Sequence, residues 1–504
     1  MAISPTITLD TTLTELYKRA STKNADRRIG QILTGANSGL SITPNFPRNT
    51  KYVYQDSPFN SVPKSELNDD NTELQRSLAM KYLSLVPQRD AFISGDTAIV
   101  MFHVDDSEEQ IAHDKSEAEK SIESLDPQQK PRFVFCPGPR KIPFEEVGVD
   151  ALAYKLVLDG LDQYPLIVPL DKHWIINSKG VLANSGLPTP KAEVIETSGH
   201  SQEADLCCAD CQSGNTIFIP PSCNGVRGKW LNEQSDRIIS AIRQRPIPFV
   251  LKNQQTFGGA GTYMVKNEED REKVIKDFSS DLNHKMLSQI TAENHHLKPG
   301  AVILSDLVSD PIGDYGLTFF VTDRGDAIFL AVSEQMIDEN SAWVGSTINY
   351  SRQDALEKRF APIMNQIAQW LHSYDYYGPA GADILETAGK PRNGELNSSN
   401  PELHIVDLNV RTSGSMCLPL MKGHFQRRGL RSASSFSIVV KESRESFIKR
   451  WQKEFESGRM CILSWYEDPK GVESIGDVVV GAEDEKTLQQ EIERVRKTTD
   501  EVTF

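Results

Sequence analysis

The segment Asp407-Leu408-Asn409-Val410-Arg411 carries a carboxylate, an amide and a guanidinium at every second residue. In a strand, alternate residues share one face. Asp407, Asn409 and Arg411 then project together, while Leu408 and Val410 point into a core. A carboxylate and an amide oxygen at this spacing are hard ligands suited to Mg²⁺. An Arg beside them can fork onto a phosphoryl oxygen. A second carboxylate, Asp383, lies in the preceding apolar run Gly381-Ala382-Asp383-Ile384-Leu385. Antiparallel pairing of the two runs brings the acids close, as a site for a metal and a triphosphate requires. The alternative is a polar sheet face whose acids and Arg simply pair.

Lys252 ends the apolar run Pro248-Phe249-Val250-Leu251-Lys252, and Gly258, Gly259 and Gly261 follow. A Lys at the end of a buried strand can set one point charge on a phosphate. Glycines let backbone N–H groups approach phosphate oxygens closely; a hairpin turn is the plainer reading. The chain contains no G-x-x-x-x-G-K-[ST] and no strand–G-x-G-x-x-G–helix unit, so neither a P-loop nor a Rossmann dinucleotide site is supported.

The elements that must position these residues read as follows. Residues 97–103 and 132–136 are strand-like, with a charged helix over 105–120 between them, which predicts an α/β unit with parallel pairing. Residues 1–60 are rich in Thr, Ser, Asn and Pro and read as loop-rich packing or a partly ordered arm. Leu166-Ile167-Val168-Pro169 reads as a strand, and Asp171 opens a helix ending near Ser185-Gly186. Residues 302–308 form another strand. Residues 317–321 and 327–332 form a hairpin turned at Asp323-Arg324-Gly325-Asp326. Leu356, Phe360, Ile363, Ile367, Trp370 and Leu371 have helical spacing, and Pro362 predicts a kink or a late start. Residues 390–401 read as a loop joining the two acid-bearing strands. Strands at 459–465 and 477–480 and a helix at 484–497 close the chain.

The sequence has 504 residues, with 55 Lys+Arg, 70 Asp+Glu and a formal net charge of -15. That length predicts about three domains. The acidic balance argues against a nucleic-acid or anionic-membrane partner. No apolar run reaches the ~20 residues that span a bilayer, no secretory leader is visible, and few cysteines fit a reducing compartment, so a cytoplasmic location is expected. A basic run over 427–453 reads as a solvated face, with an anion site as the alternative. Cys207, Cys208, Cys211 and Cys223, near His200, invite zinc, but only one C-x-x-C is present and one adjacent Cys is spare; an insert with reduced thiols over 196–229 is the expectation.

The order of these features resembles the ATP-grasp superfamily of carboxylate–amine ligases, over Asp171 to about Leu420. Ser185-Gly186-Leu187-Pro188-Thr189-Pro190 is similar to its "aGlptP" turn. Gly258 to Gly261 is similar to its lid loop, and Ile303 to Val308 to its adenine-reading hinge strand. Gly378 to Asp383 is similar to the segment carrying its first metal acid, and Asp407 to Arg411 to its "E-x-N-x-R" strand. The whole chain is also similar to large fungal ATP-grasp proteins. Two departures stand out: Asp407 replaces the usual Glu, and the gap from Asp383 to Asp407 is long.

The resemblance implies an α/β and α+β multidomain protein with an ATP-grasp fold. It would comprise an N-terminal α/β pre-grasp domain (1–165), a core (166–425) with its lid at about 190–300, and a small C-terminal α+β tail (426–504). It implies that Lys172 and Lys252 contact ATP phosphates under the lid at Gly258, Gly259 and Gly261. Asp306, with the main chain of Leu307 and Val308, would flank the adenine. Asp383, Asp407 and Asn409 would hold Mg²⁺, with Mn²⁺ as an alternative. Arg411 would stabilise the transferring phosphoryl group, and Ser413-Gly414-Ser415 would cradle a carboxylate. The implied reaction is ADP-forming activation of a small-molecule carboxylate as an acyl phosphate, then attack by an amine. A homo-oligomer is compatible with it. The alternatives are an ATP-binding regulator with reduced turnover and a kinase-like phosphotransferase.

Overall fold

The computed structural model describes residues 5–23, 25–35, 41–54, 69–213, 218–256, 261–279, 281–337, 343–389, 401–469 and 473–499. Among the described residues, sixteen strands form three sheets, and each sheet takes a consecutive block of the chain. The first holds β1 (Ile29–Ile32), β2 (Ala98–Phe102), β3 (Arg132–Cys136) and β4 (Ala151–Tyr154), in the order β3-β2-β1-β4 with every pair parallel. Helix Glu108–Ser121 crosses from β2 to β3, as the charged stretch predicts. β1 was not anticipated. It lies within 1–60, and only four residues, Ile29-Gly30-Gln31-Ile32, all buried, make the strand. So short a run shows no periodicity of its own. The same segment forms helix Leu13–Ala20, started by a Thr12/Glu15 capping box. Its Leu13, Leu16 and Tyr17 are buried against the third sheet, beside Phe320, Ala331 and Ile348.

The second sheet holds β5 (Ala192–Ile195), β6 (Phe249–Asn253), β7 (Thr262–Val265) and β8 (Val302–Asp306), antiparallel in the order β5-β8-β6-β7. Phe249, Leu251, Val302 and Leu304 point to one side, where helix Val226–Gln244 closes the core with Leu231, Ile238 and Ile242.

The third sheet holds β9 (Gly313–Val321), β10 (Ala327–Ile337), β11 (Trp343–Asn349), β12 (Gly378–Thr387), β13 (Glu402–Asn409), β14 (Ser432–Val440), β15 (Met460–Glu467) and β16 (Ser474–Ala482). Their order is β13-β12-β9-β10-β11-β14-β16-β15. Helix Gln353–His372 buries Leu356, Phe360, Ile363 and Ile367 against this sheet. Pro362 lies inside that helix on its exposed side and does not delay its start. The expected hairpin is β9–β10. The sheet runs through residue 425, because β14 pairs with β11 on one side and β16 on the other. The division of the chain at 165 and 425 therefore stays a proposal from the sequence pattern.

Two expectations need correction. Residues 166–169 form no strand; a single bridge from Leu152 to Leu166 is all the pairing they make. The helix expected from Asp171 to Ser185 is two helices, Leu170–Ile176 and Lys179–Ala183. The break falls at Asn177-Ser178, whose short polar side chains compete with helical hydrogen bonds. The polar loop expected at 390–401 and the lid glycines Gly258 and Gly259 fall on residues 390–400 and 257–260, outside the described residues.

Candidate functional site

β12 and β13 are antiparallel neighbours, and Asp383 stands directly opposite Asp407. Leu408 and Val410 are buried, so the period-2 pattern turns Asp407, Asn409 and Arg411 to the other face. Asn409 Nδ2 donates to Asp383 Oδ2 at 3.3 Å, and Gln335 Nε2, from β10, donates to Asp383 Oδ1 at 3.0 Å. Arg411 Nη2 donates to Asn409 Oδ1 at 2.8 Å. The four residues thus form one connected row. Burial first, then the Asp407 and Asp314 charges, push the Asp383 carboxyl up to about 7. Burial also opposes ionisation of Asp407, but Lys179, Lys252 and Arg411 outweigh it and hold that carboxyl below its ordinary value.

Two lysines reach this face from the second sheet and from the short helix lying between the sheets. Lys252, on β6, donates from Nζ to the Val406 carbonyl at 2.5 Å, and burial lowers its pKa. Lys179 opens helix Lys179–Ala183, which touches β5, β8 and β13. Its Nζ lies 3.3 Å from Asp407 Oδ2, and its side chain is 9% exposed. Gln254 fixes that helix start, accepting the Lys179 N–H at its carbonyl and the Gly180 N–H at Oε1.

Lys172 does not join this group. It forms an ion pair with Asp375 at the surface, 42% exposed. The lysine beside the acids is Lys179, seven residues on and across the helix break. Asn177-Ser178 is the sequence signal that could have revealed that break, and so the second helix start.

Helix Leu170–Ile176 contributes differently. His173 Nε2 donates to the Val410 carbonyl at 2.8 Å. Asn177 Oδ1 accepts from the Val410 N–H at 3.1 Å and from Arg411 Nη1 at 3.3 Å. His173 and Asn177 are one turn apart and so face the same strand end. Together they clamp the backbone that carries Arg411. Burial lowers the His173 pKa to about 4, so the ring is neutral. No sequence pattern marked either residue.

Asp306 ends β8 and pairs with Arg245 at 2.5 Å. Leu307 and Val308 follow it at the start of the 307–312 connection, which joins the second sheet to the third. Gly261 adopts a left-handed φ of 64°, and its carbonyl accepts the Asn253 N–H at 2.9 Å. A Cβ on Gly261 would meet Asn253 Nδ2 at 2.8 Å, so the position requires glycine. Ser413 and Ser415 hydroxyls lie 3.1 Å apart just beyond Arg411. The basic run at 427–453 is partly consumed by ion pairs, Arg450 with Glu442 at 3.1 Å and Arg444 with Glu123 at 3.9 Å.

A small cleft of about 20 Å³, partly open to solvent, lies between the first and third sheets, with Arg411 and Thr412 on its wall. The opposite wall supplies Tyr154 and Lys155 from the end of β4. Lys155 Nζ pairs with Asp90 Oδ2 at 2.5 Å, and Thr412 Oγ1 donates to the same oxygen at 2.6 Å. Burial, partly offset by Asp90, lowers the Lys155 pKa to about 8. The arrangement sets two acids, an amide and two lysines on one side of Arg411 and a small cleft with Lys155 and Thr412 on its wall on the other.

A parallel four-stranded sheet is followed by a small antiparallel sheet bearing Lys252, and then by a large antiparallel sheet bearing the acids. The fold is mixed α/β, with one parallel and two antiparallel sheets. No family model matches the chain, and no curated protein matches it. Among solved structures it is similar to an ADP complex of N5-carboxyaminoimidazole ribonucleotide synthetase. Identity there is 12%, with 81% of this chain and 93% of that one covered and a TM-score of 0.49. It is also similar to the biotin carboxylase domain of Hydrogenobacter thermophilus 2-oxoglutarate carboxylase, at 11% identity over 80% and 85% of the chains, TM-score 0.43. A third is L-amino acid ligase from Bacillus licheniformis, at 9% identity over 94% and 98%, TM-score 0.44. Among the described residues, no helix is long and apolar enough to cross a membrane.

Proposed function

We propose that this chain is an ATP-dependent, ADP-forming carboxylate–amine ligase. The observation that carries the reading is the pairing of Asp383 with Asp407 across β12 and β13, with Asn409 in the same row and Lys179 and Lys252 facing it. Burial first, then repulsion from the adjacent Asp407 carboxylate, pushes Asp383 up to about 7. A divalent cation offsets that repulsion, so the donor set of Asp383, Asp407 and Asn409 fits Mg²⁺, with Mn²⁺ as an alternative of the same ligand preference. Bound there, the cation would supply Lewis-acid charge to phosphate oxygens.

The chain's own residues do the rest. Lys179 and Lys252 hold ATP phosphate oxygens, while Asp306 and the 307–308 main chain border the adenine. The substrate carboxylate enters the cleft beside Lys155, Arg411 and Thr412. One of its oxygens attacks the γ-phosphorus, the bond to the β–γ bridging oxygen breaks, and ADP leaves. Arg411, clamped by His173 and Asn177, sits where charge develops on the phosphoryl oxygens, and such pre-aimed donors lower the barrier without reorganising. An amine then attacks the acyl carbon, phosphate departs, the amine nitrogen gives up a proton and an amide remains. Water must be kept from the acyl phosphate, which it would otherwise hydrolyse.

The test is mass spectrometry of products after incubation with ATP, Mg²⁺ and a pooled set of carboxylates and amino acids, with ADP release followed in parallel. An amide product with equimolar ADP is expected, and Asp407→Ala should abolish both while the protein stays folded. A stable phosphorylated product, or ATP binding with no turnover on any pool, would overturn the proposal.

A further inference from the structure

Cys207, Cys208, Cys211 and Cys223 are brought together by the 196–229 insert, and their four Sγ atoms all lie within 4.8 Å of one another. Cys223 sits 3.5 Å from each of the other three. Sulfurs bonded to one tetrahedral zinc at about 2.3 Å stand about 3.8 Å apart. A disulfide needs about 2.05 Å, and all four cysteines are free. One disulfide would also strand two of the four thiols. The sulfur that looked spare in the sequence, Cys207, is inside the cluster, and the missing partner of Cys208-x-x-Cys211 is Cys223, twelve residues further on.

Three of the four sulfurs accept backbone hydrogen bonds. Backbone N–H groups of Cys208 and Arg227 donate to Cys207. Those of Asp210 and Cys211 donate to Cys208, and that of Gly225 to Cys223. A neutral thiol is a poor acceptor of such bonds, whereas a metal-bound thiolate takes several. The chain comes this close only because of two glycines. A Cβ on Gly225 would lie 2.6 Å from Cys207 Sγ, and one on Gly228 would lie 2.0 Å from the Cys223 carbonyl oxygen. Among the described residues of the insert, little regular structure otherwise holds it. Helices Ala204–Leu206 and Ala209–Ser213 are a few residues each, whereas helix Val226–Gln244 begins at the cluster and packs on the β6–β8 core.

We propose that these four cysteines form a structural zinc site that staples the insert to the start of helix Val226–Gln244. Four protein ligands leave no open position, so the ion acts on folding and not on the reaction. The span of 4.8 Å suits a single ion. The site lies apart from the acid row on β12 and β13, so it stands or falls independently of the ligase reading.

Full-length protein purified under reductant, stripped with a chelator, remetallated with ZnCl₂ and desalted should retain about one zinc per chain by elemental mass spectrometry. Cys211→Ser and the Cys208→Ser/Cys211→Ser pair should lose zinc affinity at least ~10-fold, whereas Cys461→Ser, buried in another core, should retain it. Should the variants fail to fold, Co²⁺ loaded into the wild-type protein decides. Thiolate-to-cobalt charge transfer in the near ultraviolet and the intense visible bands of tetrahedral cobalt support the site. Octahedral cobalt bands, zinc that washes off, bound iron in its place, or a disulfide among these cysteines in the native protein would overturn it.

Discussion

Replacing Asp383 by Asn should stabilise the protein while removing its affinity for a divalent cation. Burial and the Asp407 charge raise the folded-state pKa of Asp383 from 3.8 to about 7. Well below pH 3.8, both folded and unfolded states carry the proton and nothing is lost. Between about pH 4 and 7 the unfolded chain releases it while the folded chain keeps it, so stability falls as pH rises. Above pH 7 the folded state bears the whole cost, about 4 kcal/mol at 1.36 kcal/mol per unit. Asp383 is half-buried, which reduces that figure. Asn also offers one oxygen to two donors, Gln335 and Asn409, so one hydrogen bond worth about 1 kcal/mol is lost. The net gain is about 1–3 kcal/mol at pH 8, or about 1–3 °C in Tm for a chain of this size unfolding as one unit.

The assay is thermal unfolding of wild type and Asp383→Asn at pH 4, 6 and 8, with and without MgCl₂. The variant's advantage should appear only as pH rises, and Mg²⁺ should raise the Tm of the wild type alone at pH 8. A variant less stable than wild type at pH 8, or an advantage equal at pH 4 and pH 8, would refute the reasoning.

The remaining expectations concern neighbours of the same row. Lys179→Ala should lower ATP turnover at least ~10²-fold, whereas Lys172→Ala, whose side chain pairs with Asp375 at the surface, should stay within about twofold, because exposed pairs contribute little. Steady-state ADP release distinguishes the two. Asn177→Ala removes one partner of Arg411 together with the acceptor of the Val410 N–H and should reduce kcat with little change in KM for ATP, an effect of about 1–3 kcal/mol on the barrier. Equal loss in both constants would point instead to a disturbed nucleotide site. Asp90→Asn leaves Lys155 buried without its counter-charge and should cost about 3–5 kcal/mol of stability, read by urea unfolding near neutral pH.

The alternation Asp407-Leu408-Asn409-Val410-Arg411 was enough to place three polar groups on one face, because the two-residue repeat of a strand is a local property of the backbone. The apolar run around Asp383 likewise announced its strand, and the two strands do pair with the acids in register. Helix Gln353–His372 and the β9–β10 hairpin were legible for the same reason: each carries many residues of one period. Short or irregular pieces were not. β1 has four residues, and β14, unanticipated over 432–440, is rich in Ser where an apolar run was sought.

Tertiary structure alone decided which charges meet. Lys172 and Lys179 are both lysines near a helix start, and only the packing of helix Lys179–Ala183 between two sheets brings one of them to Asp407. The same holds for His173 and Asn177 at the Val410 backbone and for the fourth cysteine of the cluster. Periodicity within one element is written in neighbouring residues. The meeting of side chains from distant elements depends on how their cores pack, which no local spacing records.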